Sequence, residues 1–456
     1  MAPPVREVDL LAVARSVAGA ARAGEEVEAY AVRSRDVDVN VFDGEVESLV
    51  VAEIEGVGIR VVIDHRQGYA WAGSLDADVI AETLADARDN AGFGSPDEFY
   101  GLTDPASFAG TDAVSLDLWH DDLLSVPTSE KVALAIALDA STKAIDPRVR
   151  GVESSTYGDA AVESAVATSL GVEVSNRRTM CSCAAEAMAG AGVDTRTGYG
   201  FSAARTFGEL DPERAARDAT ERAVRLLGAA PIPSQRLPVV FDPLVTRSLV
   251  ALVGGALSGD AVQRGRSLFV GRDGEEVAAP HITLVDDPTR EESFGAASHD
   301  AEGVPTRRLP LVTGGRLTAF LHNTYTARRG GTVTTGSAVR GGFKSPPGVG
   351  ARALSLVPGE LSADEILAAA GTALYVQSVS GLHSGTNPVS GDFSVGADGL
   401  MVRDGVLAEP VREITIASTI QRMLHDIVHV GADLEWLPGG AAGMTLLLAD
   451  MSVAGT

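Results

Sequence analysis

The chain has 456 residues, 45% of them hydrophobic, and is therefore long enough to bury the cores of several domains. Its 62 acidic and 37 basic residues give a formal net charge of −25, which disfavours binding to nucleic-acid phosphates. The composition excludes a disordered or fibrous chain. The sequence contains no run of about 20 apolar residues, which a membrane span would need.

Residues 1–105 are predicted to form an α+β domain. An amphipathic helix is expected around Leu10–Val13, where nearby charged residues interrupt the apolar run. Residues 36–42 alternate polar and apolar side chains, and Asp43-Gly44 supplies the two-residue turn of a hairpin. Asp76 can cap a following helix, which a stretch rich in Gly, Pro and Asp brings to an end.

Residues 106–230 are predicted to form a second α+β region. A helix is expected to begin near Pro127 and to end at Asp146-Pro147, because the residue before proline disfavours helical backbone. Alternating segments from Val149 to Ala191 predict strands, and Asp211-Pro212 opens a further helix. A short linker rich in Ala and Pro follows this helix.

Residues 231–456 are predicted to form a strand-rich C-terminal domain. Hairpin turns are expected at Gly314-Gly315 and at Asp404-Gly405, because each pair lies between short apolar runs. Strands and helices follow one another without a regular βαβ rhythm. The predicted fold class is therefore α+β, rather than a doubly wound parallel sheet.

Cys181 and Cys183 are the only two cysteines in the sequence. They stand two residues apart on a predicted strand, where a disulfide between them would be strained. Unpaired thiols are typical of a reducing compartment, so the sequence predicts a cytoplasmic protein.

The segment from His425 to His429 places two histidines four residues apart. On a helix this spacing could hold zinc, and Asp426 could act as a base. However, Asp426 is one methylene shorter than the glutamate of the usual motif, and the helix is expected to end near Gly431. Two ordinary histidines near the C-terminus of a helix, where they suit its dipole, are the favoured interpretation.

Several segments of the sequence together resemble the TldE/PmbA family. The most characteristic one is Asn387-Pro-Val-Ser-Gly-Asp392-Phe. The others are Gly381–Gly396 around it, Val411–Ala417 after the Asp404-Gly405 hairpin, Leu321–Arg328, Phe241-Asp-Pro, Leu257–Asp260 and the Asp43–Glu47 hairpin. The resemblance spans essentially the whole chain, and it implies a multidomain TldD/PmbA-like fold.

The resemblance also implies that this chain lacks catalytic residues. In the catalytic TldD-like subunits, the helix after the strand comparable to 237–241 carries His-Glu-x-x-x-His, which supplies zinc ligands and the general base. The comparable positions here hold Val250, Ala251 and Gly255, whose side chains cannot ligate zinc or accept a proton. The catalytic subunits add a cysteine ligand from a loop near the C-terminus, whereas residues 431–440 contain none.

The resemblance therefore implies a heterodimer, in which a TldD-like catalytic subunit holds the zinc and this chain holds no metal. The two subunits together would enclose a cleft for unfolded or small peptides, which commonly bind by adding a strand to a sheet edge. In that arrangement Asn323, Tyr325, His383, Asn387 and Asp392 are expected at the cleft or at the subunit interface.

Two other functions remain open from the sequence. The chain could be an autonomous zinc hydrolase that uses His425 and His429. It could also belong to a TldD/TldE-like pair that cleaves an amide in a specialised metabolite. A homo-oligomer formed without the catalytic partner is also compatible with the sequence.

Overall fold

The computed structural model describes residues 8–455, in which no helix is long and apolar enough to span a membrane. The first half of these residues forms six strands and five α-helices. The strands are β1 (Glu25–Phe42), β2 (Glu45–Ile63), β3 (Arg66–Ala72), β4 (Val149–Thr168), β5 (Glu173–Ala189) and β6 (Arg196–Ala204). The helices are α1 (Leu10–Ala18), α2 (Ala77–Phe93), α3 (Asp121–Ser125), α4 (Thr128–Ile145) and α5 (Pro212–Val224).

The second half is strand-rich. Its strands are β7 (Gln235–Phe241), β8 (Leu284–Asp286), β9 (Leu309–Thr313), β10 (Arg316–Leu317), β11 (Ala338–Val339), β12 (Gly348–Val349), β13 (Leu354–Leu356), β14 (Ala373–Ser380), β15 (Asp392–Arg403), β16 (Val406–Thr419), β17 (Ile427–Val430), β18 (Glu435–Trp436), β19 (Ala442–Gly443) and β20 (Leu446–Ala454). Its helices are α6 (Pro243–Ala256), α7 (Gly259–Gln263), α8 (Thr324–Arg329), α9 (Ala363–Ala370), α10 (Leu382–Gly385) and α11 (Ile420–His425).

The N-terminal sheet has the strand order β3-β2-β1-β4-β5-β6 and is antiparallel throughout. Because β1 pairs with β4, the predicted regions 1–105 and 106–230 contribute to one continuous sheet. Side chains alternate between its two faces with a period of two. Odd-numbered positions such as Val39 and Cys183 are buried beneath the helices, whereas even-numbered positions such as Glu28 face the C-terminal domain.

The C-terminal domain is built around a closed sheet. Strand β7 lies parallel to β14 and antiparallel to β20, and β15 and β16 continue the sheet beyond β14. Strand β16 also pairs with β20, which closes a ring of five strands. The buried face of helix α6 packs with side chains of these strands in the largest apolar cluster of the described residues.

The predicted α+β class is confirmed, and so are the local elements with strong end signals. Helices α2, α4 and α5 begin at or next to the predicted residues. The turns at Asp43-Gly44 and Asp404-Gly405 have positive φ at both positions, as a two-residue hairpin requires.

A buried ionic cluster joins the N-terminal sheet to the C-terminal domain. Arg60 of β2 contacts Glu28 of β1 at 2.6 Å and Glu302 of the C-terminal domain at 3.3 Å. Arg340 forms an ion pair with the other oxygen of Glu28. All four side chains are at most 4% exposed, and two positive charges balance two negative charges. This cluster fixes the even-numbered face of the sheet against the C-terminal domain.

Candidate functional site

Helix α6 carries the three positions at which the resemblance places catalytic residues in other subunits. The helix begins after Asp242, whose carboxylate accepts a hydrogen bond from the Leu244 amide at 2.9 Å. Ala251 and Gly255 lie four residues apart on the exposed side of the helix. Val250 points away from them into the apolar core. The structure thus brings together two of the three positions.

Ala251 and Gly255 line a hollow of about 300 Å³. The opposite wall consists of residues 349–351 and of Gly440, the last residue of the loop that lacks a cysteine. The two segments that the resemblance singles out therefore meet in space. The one acid at the rim, Asp260, already accepts a hydrogen bond from Arg264 at 2.8 Å.

The chemistry of this hollow does not fit a zinc ion. Zinc in proteins is held by imidazole, thiolate or carboxylate groups, most often four ligands in a tetrahedron. The hollow offers hydrogen atoms, methyl groups and other aliphatic side chains, apart from Ser258 and Asp260 at its edge. Across residues 8–455, no three His, Cys, Asp or Glu side chains are grouped closely enough to hold a metal ion.

The prediction that one helix carries both His425 and His429 is wrong. Helix α11 ends at His425, and His429 lies on strand β17, opposite Leu447 of β20. Three of the four residues 427–430 are β-branched, and they gain more stability from pairing with the sheet than from extending a short helix. The two histidines therefore do not share a helical face.

A larger cavity of about 600 Å³ adjoins the hollow. It lies between the even-numbered face of β4 and β5 and residues 294–301 of the C-terminal domain. Ala351 and Gly440 line both spaces, so the two form one groove. Its walls combine apolar side chains, such as Phe294, with arginines.

Four arginines line this groove: Arg177, Arg178, Arg340 and Arg352. Arg340 belongs to the buried ionic cluster, and Arg177 stacks over the Trp119 ring at 5.4 Å. Among residues 8–455, Arg178 and Arg352 have no carboxylate oxygen within 4.0 Å. Burial lowers the pKa of Arg352; the charge of Asp300 opposes this shift, and the charge of Arg178 adds to it.

Asp300 is the acid that lines the same groove. Its Oδ1 accepts hydrogen bonds from the amides of Glu302 and Val304, at 2.8 and 3.0 Å, and its Oδ2 accepts one from Ala338 at 3.0 Å. Burial, and then the charge of Glu302, raise the pKa of Asp300 to about 7. Asp300 is therefore only partly ionised at neutral pH; its charge favours the charged form of Arg352, but the two form no ion pair within 4.0 Å.

His383 lies on α10, Asn387 on the loop that follows, and Asp392 is the first residue of β15; all three are exposed. Asn387 accepts hydrogen bonds from the amides of Val389 and Ser390, at 2.9 and 3.3 Å. Asp392 accepts one from the Ser390 hydroxyl at 2.6 Å. These bonds shape the loop itself, and none of the three predicted residues lines the groove or the hollow.

Asn323 and Tyr325 lie at a boundary within the chain. Asn323 caps helix α8 and accepts a hydrogen bond from the Thr326 amide at 2.9 Å. The Tyr325 hydroxyl donates to Asp97 at 2.8 Å, and its ring packs against Tyr100. Tyr325 thereby fixes the segment after α2 to the C-terminal domain, whereas Asn323 shapes the start of α8.

Sequence reasoning missed Arg178, Asp300 and Arg352. The one local signal for them was the adjacent pair Arg177-Arg178 on a predicted strand of a strongly acidic chain. Strand alternation does not tell which residues of a strand border a cavity.

Models of one protein family match most of the chain. The PmbA/TldA metallopeptidase domain 1 matches residues 27–91, the central domain matches 121–227, and the C-terminal domain matches 234–455. A metalloprotease from Methanothermobacter thermautotrophicus is 31% identical over 71% of this chain and 72% of its own length. The chain belongs to the PmbA/TldD metallopeptidase family.

Other members of the PmbA/TldD family align over nearly the full length. Metalloprotease PmbA of Escherichia coli O157:H7 is 28% identical over 97% of this chain and 95% of its own. A TldD homolog of Haemophilus influenzae is 24% identical over 88% and 87%. The predicted resemblance to the TldE/PmbA family is thus confirmed.

Solved structures share the fold. A proposed modulator of a DNA gyrase from Thermotoga maritima is 27% identical, covers 98% of each chain and superposes with a TM-score of 0.87. TldE from Thermococcus kodakarensis, 23% identical over 94% of this chain and 97% of its own, also gives a TM-score of 0.87. The predicted multidomain TldD/PmbA-like fold is confirmed.

Proposed function

We propose that this chain is the TldE-like, non-catalytic subunit of a heterodimeric PmbA/TldD-type metallopeptidase. A TldD-like partner would hold the zinc and perform hydrolysis of unfolded or small peptides. This chain would complete the cleft and hold part of the substrate.

One observation carries the proposal. Ala251 and Gly255 of α6 and Gly440 of the C-terminal loop converge on one hollow, and none of them supplies a metal ligand or a proton acceptor. In a hydrolase that acted alone, such a position would need both. The Cβ of a residue replacing Gly255 would meet nothing within 4 Å, so packing does not explain the glycine.

The groove supports the second half of the proposal. Its volume of about 600 Å³ lies within the range of about 300–1,000 Å³ typical of ligand sites, and it opens towards the hollow. An extended peptide could therefore lie along residues 294–301 and continue past α6 to a catalytic centre supplied by another subunit.

The proposal is tested by measuring zinc content and hydrolysis of a mixture of unfolded peptides. The measurements are made for this chain alone, for its cognate TldD-like subunit alone, and for the two mixed and separated by size-exclusion chromatography. We expect bound zinc and activity in a co-eluting complex, and neither in this chain alone. Stoichiometric zinc and hydrolysis by this chain alone would overturn the proposal.

Matched variants separate this proposal from an autonomous zinc hydrolase. His425→Gln and His429→Gln should leave the zinc content and the activity of the complex unchanged, because the two histidines lie on different elements. Loss of zinc from this chain in either variant would instead favour the hydrolase. Activity of the complex on amides of a specialised metabolite, but not on peptides, would retain the heterodimer and change its substrate.

A further inference from the structure

Arg178 and Arg352 are two cations of the groove that form no ion pair within 4.0 Å among residues 8–455. Arg178 projects from the even-numbered face of β5, and Arg352 approaches from the C-terminal domain. Both line the cavity of about 600 Å³. Like charges near each other in a partly desolvated space are unfavourable unless an anion lies between or beside them.

Arg352 is held in place by its backbone, while its guanidinium is left incompletely bonded. Asp286 accepts hydrogen bonds from the amides of Arg352 and Ala353, at 3.0 and 2.7 Å. In the side chain, Nη2 donates to the Ala338 carbonyl oxygen at 3.1 Å. Its Nε is buried and has no hydrogen-bond partner among the described residues. A buried donor without a partner costs about 1–3 kcal/mol.

The carboxylates of the groove form no ion pair with Arg178 or Arg352 within 4.0 Å. Both oxygens of Asp300 accept hydrogen bonds from backbone amides. Glu28 is paired with Arg340 and Arg60 in the buried ionic cluster. The groove therefore carries a local excess of positive charge in a chain whose net charge is −25.

We propose that Arg178 and Arg352 bind a carboxylate of the peptide that lies in the groove. The planar guanidinium group donates two parallel hydrogen bonds, a geometry that matches a carboxylate. The apolar wall at Phe294 and Met180 suits an aliphatic part of the same peptide. The site thereby fixes one point of the substrate and leaves the rest to extend past Ala351 towards α6.

This inference rests on the proposed function, since it names the substrate chemistry of the same groove. The carboxylate has two sources, the C-terminus of the peptide or an acidic side chain. Three dansyl-labelled decapeptides of Ala and Ser distinguish them: one with a free C-terminus, its C-terminal amide, and the same amide with one internal Asp. Binding to the full chain without its partner is measured by fluorescence anisotropy.

We expect the free acid to bind at least about tenfold more tightly than the amide, since a hydrogen bond to a charged group contributes about 1.5–3 kcal/mol. Tight binding of the Asp-containing amide would identify a side-chain carboxylate as sufficient. Weak binding of that amide would identify the C-terminus as the source. Equal binding of the free acid and both amides, or no binding of any of them, would overturn the proposal.

Variants assign the effect to the two arginines. Arg352→Gln and Arg178→Gln should each weaken binding of the free acid about tenfold and leave binding of the amide unchanged. Arg178 is exposed, so its replacement does not endanger folding. The control is Arg403→Gln, which removes the same charge at the distant β15–β16 hairpin, where Arg403 pairs with Glu409. An equal loss of affinity in the Arg403 variant would show that net charge alone explains the effect, and it would overturn the proposal.

The two proposals fail separately. Carboxylate-dependent binding by this chain, together with an inactive mixture of subunits, refutes the heterodimeric peptidase and retains the site. An active complex whose KM for acidic and amidated peptides is indifferent to Arg352→Gln refutes the site and retains the peptidase.

Discussion

Replacing Arg60 tests how the two halves of the molecule are held together. Arg60 is 4% exposed and lies between Glu28 and Glu302, which belong to different halves. In Arg60→Met, Glu28 keeps Arg340, but Glu302 is left buried with only the Thr324 amide, 2.9 Å away, as a donor. Removing one partner of a buried ion pair costs about 3–5 kcal/mol.

Urea unfolding, followed by tryptophan fluorescence, measures this cost. With a slope of about 3 kcal/mol per M, the expected loss lowers the unfolding midpoint by about 1 to 1.7 M. The control is Arg35→Met in the same sheet, because Arg35 and Glu53 are 4.0 Å apart and their side chains are 39% and 76% exposed. The control should lose at most about 1 kcal/mol.

A double variant makes the reasoning sharper. Glu302→Gln, combined with Arg60→Met, removes the orphaned charge together with its partner, so the double variant should be more stable than Arg60→Met alone. Two results would contradict this reasoning. In the first, the losses of unfolding free energy of the two single variants simply add in the double variant. In the second, Arg60→Met unfolds at the same urea concentration as the unsubstituted chain.

Three further predictions concern single sites. Burial raises the pKa of Asp286 to about 6 from 3.8, so its contribution to stability is fully present below pH 4 and is lost as pH rises through 6. Asp286→Asn should flatten the change in melting temperature between pH 4 and 8. The free energy of unfolding that Asp286 loses over this range is about 3 kcal/mol. An unchanged slope of melting temperature against pH would refute this. Gly68→Ala would bring a Cβ within 2.0 Å of the backbone of α2 and should lower the melting temperature, whereas Gly73→Ala meets open space and should not. Burial raises the pKa of Cys181 to about 12 and of Cys183 to about 11, so iodoacetamide should label them only after unfolding, and rapid labelling of the native chain would contradict this.

Local signals in the sequence were enough for the elements whose ends are chemically marked. The pairs Asp43-Gly44 and Asp404-Gly405 tolerate positive φ, and each makes the predicted hairpin. Helix α5 begins at Pro212, where Asp211 accepts a hydrogen bond from the Arg214 amide. In each case the deciding contacts lie within a few residues.

Features that depend on distant contacts could not be predicted in this way. The sequence of residues 427–430 predicts the end of a helix, but pairing with β20 makes this segment a strand. The groove exists because β5 and residues 294–301, more than a hundred positions apart, face each other. The meeting of Ala251 with Gly440 likewise depends on the closed sheet, whereas their lack of ligand chemistry was readable from residue type alone.

The closed sheet of the C-terminal domain sets an order on how the chain can fold as it is synthesised. Strand β20, the last strand of the described residues, pairs with β7, β16 and β17. Until the ribosome has released residues 446–454, β7 and β16 therefore expose unpaired edges that can join strands of other chains. Closure of this sheet must therefore await synthesis of β20, and a chain that lacks β20 should depend heavily on chaperones.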